Sequence, residues 1–147
     1  MKKKALRIVV CLLLMLPVFS FTTVADPSPD LDIKIIGSLP FPYLSNHVGG
    51  VILNSGDATA YNISYILTIK GGFGETISET NQDYEYEILP HNAFAVGIVG
   101  THGFGPVIIT LTASATNAEN VTGTTKGFQI GGFTWIPLSW FSIFIND

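Results

Sequence analysis

The chain has 147 residues, 47% of them hydrophobic and 12% charged, with a formal net charge of −4. Its only cysteine (Cys11), its only arginine (Arg7) and both methionines fall within residues 1–25, so residues 26–147 keep Lys34, Lys70 and Lys126 against all 11 carboxylates. For residues 26–147 the composition excludes disulfides, zinc-thiolate and blue-copper sites and a cysteine nucleophile; it removes the counterion-release drive for nucleic-acid binding and disfavours phosphate clamping and docking on anionic lipid.

Residues 1–25 read as an address. Lys2, Lys3, Lys4 and Arg7 precede an apolar run from Ile8 to Phe21, and Thr23-Val24-Ala25 supplies small residues at a cleavage position before Asp26. The run is short for a membrane span, so the expectation is a secretory signal, with an uncleaved anchor as the alternative. Asp26 to Asp30 reads as an extended, mobile leader. Leu31, Ile33 and Ile35 alternate with polar residues as a first strand, and Gly37 to Asn46 forms a loop. Val48 to Leu53 and Thr59 to Ile69 are two strands around a polar turn; the second has Tyr61, Ile63, Tyr65, Leu67 and Ile69 on one face. Glycines 71, 72 and 74 break the pattern, and Glu75 to Thr80 reads as a short edge strand.

Tyr84, Tyr86 and Ile88 then alternate with Asp83, Glu85 and Glu87, which predicts a strand with one apolar and one acidic face. Pro90 to Asn92 turns the chain, Phe94 to Val99 is a strand, and Gly100 to Pro106 is a turn. Val107 to Ala115 alternates with hydroxyl residues. Asn117 to Asn120 reads as a loop, and Val121 to Ile136 as one long strand, weakened or bulged at Gly131-Gly132. Seven or eight strands without helical periodicity predict an all-β fold, an antiparallel immunoglobulin-like β-sandwich with Greek-key connections over residues 31–136. Residues 137–147 are an apolar aromatic tail. Its Trp140, Phe141 and Phe144 are candidates for contact with a partner or a membrane, against the plainer reading of a segment covering a sheet edge.

The run from Asn54 to Ile63, Asn-Ser-Gly-Asp-Ala-Thr-Ala-Tyr-Asn-Ile, resembles the B–C turn of CARDB-type immunoglobulin-like domains of prokaryotic, including archaeal, surface proteins. Leu31-Asp32-Ile33 is similar to their first strand, and Leu89-Pro90 to the turn before their E strand. His91-Asn92 departs from the glycine usual there, and the acidic, Asn-rich ending of many such domains is replaced by the aromatic tail. The resemblance implies a surface-displayed binding or spacer module, with no catalytic residues to carry over.

Chemistry-bearing residues are sparse. His47, His91 and His102 belong to three different turns without metal-ligand spacing, so exposed turn histidines are expected and no metal or cofactor. Asp83, Glu85 and Glu87 offer carboxylates to a cation, or guard a sheet edge; the guard is the favoured reading. No serine sits in a nucleophile elbow and the glycines at 71–74 lack the lysine of a phosphate loop. Asn62-Ile63-Ser64 and Asn120-Val121-Thr122 match the N-glycosylation pattern, Asn62 on a polar strand face and Asn120 in a loop.

The expected protein is therefore non-catalytic. It is secreted or on the outer face of the cell envelope, where it contacts other envelope proteins in adhesion or spacing. Membrane contact would run through the N-terminal segment or the tail. The alternative is a carbohydrate-binding module for surface glycans, stacking sugars on Tyr43, Tyr61, Tyr65, Tyr84, Tyr86, Trp135 or Trp140. A secreted enzyme is the third reading.

Overall fold

A computed structural model describes residues 26–38 and 47–137. The signal or anchor segment, Tyr43, and the tail with Trp140, Phe141 and Phe144 lie outside the described residues. The described chain forms eight strands: β1 (Leu31–Ile36), β2 (His47–Asn54), β3 (Ala60–Gly71), β4 (Ile77–Ile88), β5 (Asn92–Val99), β6 (Gly103–Ala115), β7 (Ala118–Gly131) and β8 (Phe133–Trp135). They make two antiparallel sheets, β1-β2-β5 and β4-β3-β6-β7-β8, with crossings between sheets at β2–β3, β4–β5 and β5–β6. This is the expected all-β sandwich of two antiparallel sheets.

Alternation builds the core. Val48 and Ile52 of β2, Val96 and Ile98 of β5, Ile63, Leu67 and Ile69 of β3, and Val107, Ile109, Leu111 and Ala113 of β6 all face between the sheets and are buried. Each fully buried Ile or Leu contributes roughly 1.5–3 kcal/mol of transfer free energy, which lets a fold without disulfides hold together.

Two buried polar brackets close the ends. At one end Asn54 is 1% exposed and uses both ends of its amide. Its Oδ1 accepts from the Asp30 and Gly56 N–H groups, and its Nδ2 donates to the Ala58 and Ile88 carbonyls at 2.7 and 2.9 Å. The Asp57 N–H bonds Ser28 O and the Ser55 N–H bonds Asp30 O. The leader is therefore pinned along the β2–β3 turn rather than mobile. At the other end Gln129 donates to the Thr101 and Gly131 carbonyls and accepts from the Thr134 hydroxyl. Ser38 bonds Thr134 through both backbone and side chain, tying the end of β1 to β8.

Four local expectations are corrected. Glu75–Thr80 is not a separate strand: Ile77–Ile88 is one edge strand paired with β3 from end to end. Tyr61 does not share the inner face. Asn62 has a φ of 51°, and this left-handed step shifts the alternation by one, so Ala60 and Ile63 are buried and Tyr61 is exposed. Asn117 to Asn120 is no loop: Thr116-Asn117 makes a tight turn and Asn120 lies in β7. Val121–Ile136 is not one strand. Ile130 pairs with Phe133 and Phe128 with Trp135, so Gly131-Gly132 is a two-residue hairpin, and the φ of 59° at Gly131 suits its first position.

Candidate functional site

Register settles which side of the five-stranded sheet each residue occupies. Residues directly opposite in an antiparallel pair share a face. On β4, Glu79, Asp83 and Glu85 stand opposite Ile69, Tyr65 and Ile63, on the side toward the other sheet. Ser78, Thr80, Gln82 and Tyr84 stand opposite Lys70, Thr68, Ile66 and Ser64, on the outer side. The expected apolar face of β4 is thus corrected: Tyr84 and Tyr86 are 75% and 68% exposed, and the acidic side is the inward one. Asn81, on that inward side, donates to the Gly97 carbonyl of β5 at 2.8 Å. The strand lies at the sheet's edge, where inward charge can still meet water.

The outer face changes character along the strands. Its middle is a hydroxyl ladder: Ser64 bonds Ser114 at 2.7 Å, Thr112 bonds Thr122 at 3.1 Å and Thr110 bonds Thr124 at 3.2 Å. The next row is Lys70, Ile108 and Lys126 in register. Beyond it stand Pro106, Phe128 and Trp135, then Phe104, Ile130 and Phe133. From the Ser64 row to the Phe104 row the register places no carboxylate on this face.

Phe73 completes the apolar end. The β3–β4 turn lies on the start of β6 through Gly72 N–H to Pro106 O and Phe73 N–H to Phe104 O, both 2.8 Å. Gly105 (φ 126°) permits that approach, since a Cβ there would lie 2.6 Å from the Phe73 nitrogen. The ring of Phe73 then sits 5.6 Å from Phe104 and 6.4 Å from Phe128, with Phe104 edge-on to Phe128 at 5.4 Å. Such pairs normally form in cores, yet Phe73 is 62%, Phe104 56% and Trp135 49% exposed, with Ile108 and Ile130 exposed beside them. Among the described residues these side chains form an exposed aromatic and aliphatic patch.

The other candidate residues do not converge. The β2–β5 register pairs His47 with Val99 and Asn54 with Asn92, so His91 lies at the opposite end of the sandwich from His47. His91 faces Asp57 at 3.4 Å in an exposed pair, and His102 Nδ1 contacts the Gly100 carbonyl. Among the described residues no group of three or more His, Cys, Asp or Glu is placed to hold a metal ion. Asn62 is exposed, with its amide 3.3 Å from the Thr116 hydroxyl, and Asn120 is exposed at the start of β7. Of the proposed sugar-stacking residues, Tyr65 is buried against Phe94. Burial raises its phenol pKa above the ordinary value, and the carboxylates of Asp83 and Glu85 raise it further. Tyr61, Tyr84, Tyr86 and Trp135 remain exposed.

Sequence reasoning found Trp135 and treated the glycines at 71–74 as punctuation. It missed Phe73, Phe104 and Phe128 as a cluster. The available signal was three phenylalanines each beside a glycine, a pattern that also suits ordinary turns. Comparison of the chain with protein-family models, with curated proteins and with solved structures finds no match.

Proposed function

We propose that this chain is a non-catalytic, immunoglobulin-like binding module of the cell envelope, and that the outer face of its five-stranded sheet is the contact surface. The observation that carries the reading is the cluster of exposed Phe73 and Phe104 with half-buried Phe128, and exposed Trp135, Ile108 and Ile130 around it. Contiguous apolar surface rimmed by polar residues marks interaction sites. The CARDB-like run from Asn54 to Ile63 and the signal-like N-terminus support export and surface display.

The test is photo-crosslinking from a benzoyl-phenylalanine at position 104 in the native cells, alongside the paired Phe73→Ser and Phe104→Ser variant. The expected result is a discrete crosslink to an envelope component and release of the paired variant into the medium. Retention equal to wild type without a crosslink would overturn the reading.

One observation favours a second reading, glycan binding: Tyr84 and Tyr86 are exposed on an edge strand. Sugar rings stack on such faces. Calorimetry of the chain against envelope polysaccharide, with Tyr84→Ala and Tyr86→Ala, separates the two, because these tyrosines stand apart from the phenylalanine cluster.

A further inference from the structure

We propose that the occupant of the aromatic end is an anionic lipid surface. The proposal rests on the reading of this face as the contact surface and names what it contacts. Three features argue for lipid over a protein partner.

The first is charge placement. Beyond residue 25 the chain has three lysines against 11 carboxylates. Two of those lysines, Lys70 and Lys126, flank Ile108 in one row, directly behind the aromatics. No strand carboxylate shares the face from that row to Phe104; Glu75, in the β3–β4 turn, borders the row beside Lys70 and Ile108. The second is the order of the rows. Aromatic and aliphatic tips come first, then lysines, then hydroxyls, over steps of ~6.7 Å for every two residues. A membrane interface is layered in the same order: aromatic rings at the headgroup boundary, ammonium groups at the phosphates with their stems along apolar surface, hydroxyls in water. The third is continuity. Val99 at the β5 end and Phe73, Ile130 and Phe133 at neighbouring turns extend the apolar tip.

The protein carries its own probe. Trp135 and Trp140 are its only tryptophans, so Trp140→Phe leaves Trp135, in the patch, as the sole emitter. The full chain with this substitution is mixed with vesicles of phosphatidylcholine alone or with phosphatidylglycerol, with and without bromine on the lipid chains. Flotation reads total binding, and bromine quenching reads contact at Trp135. The expected result is a blue-shifted, quenched Trp135 that favours the anionic vesicles and loses that preference as salt rises. Lys70→Gln with Lys126→Gln weakens docking on the anionic vesicles about 30-fold. Phe73→Ser with Phe104→Ser weakens it on the order of 100-fold.

A chain that floats while Trp135 stays unquenched holds lipid through other segments and overturns the proposal. So does a Trp135 shift that follows protein concentration without lipid, which assigns the patch to a second copy. If quenching is absent but the paired Phe variant still leaves the native envelope, the lipid fails and the binding module stands. If both are absent, both fail.

Discussion

Asn54 is the residue whose role changes most between sequence and structure. In the sequence it opens a polar turn; in the fold it is a buried bracket whose amide serves four backbone groups. Replacing it with alanine orphans the Ala58 and Ile88 carbonyls and removes the acceptor of the Asp30 and Gly56 N–H groups. Asn54→Ala is expected to cost about 2–4 kcal/mol, read from urea unfolding midpoints. Tyr65 supplies a pH prediction. Its folded pKa is raised by burial and by Asp83 and Glu85, so the folded state favours the neutral phenol. That contribution is complete below the unfolded value of about 10 and is lost as pH rises through the folded value. Absorbance titration should show Tyr65 ionising at higher pH than a free phenol, and Tyr65→Phe should flatten the alkaline fall in stability.

At the scale of elements, β4 shows how an edge strand is kept from pairing. It is 12 residues long and its outer backbone has no neighbour in the sheet order. Glu79, Asp83 and Glu85 on its inner side make a second strand's approach costly. Replacing Asp83 and Glu85 together by valine should leave the fold intact and produce association visible by light scattering at high protein concentration. The sequence suggested carboxylates guarding an edge, but not which side they face, because that depends on a β3–β4 register that sets Asp83 opposite Tyr65 and Glu85 opposite Ile63. The β3–β4 turn is the second element with a definite prediction. Gly105→Ala places a Cβ against the Phe73 nitrogen in a backbone conformation that favours glycine. It should cost about 1–3 kcal/mol and weaken the near-ultraviolet dichroism of the aromatic cluster.

For the whole molecule, stability and contact surface are separable. Leu111 is fully buried between the sheets, and Leu111→Ala should cost about 2–5 kcal/mol. Phe73→Ser with Phe104→Ser removes exposed rings and should change the unfolding free energy by less than about 1 kcal/mol, while removing envelope retention. The sandwich is also polar end to end. The leader is bound beside the β2–β3 turn, and the aromatic patch lies at the other end of β6, whose 13 residues span ~40 Å. The aromatic patch and the point where the leader meets the sandwich therefore lie at opposite ends.

The sequence by itself determined the fold class, because period-two alternation reports which strands are half-buried and turn residues report where they end. It also determined the chemistry the domain lacks: with no cysteine or arginine beyond residue 25 and with unclustered histidines, no arrangement of strands supplies a thiolate or guanidinium site. It singled out Trp135 and the polar turn at Asn54, and it read Asn120 as a loop residue where the fold has it in β7. Only the tertiary structure decided the site. Phe73, Phe104 and Phe128 come from one turn and two strands far apart in the chain, and cross-strand register and the glycine at 105 bring them together. The bearing of charge on the partner changed for the same reason. Composition averages lysines over the whole surface and so disfavours anionic partners, whereas the sheet sets Lys70 and Lys126 on either side of Ile108 and turns the carboxylates of β4 to the other side.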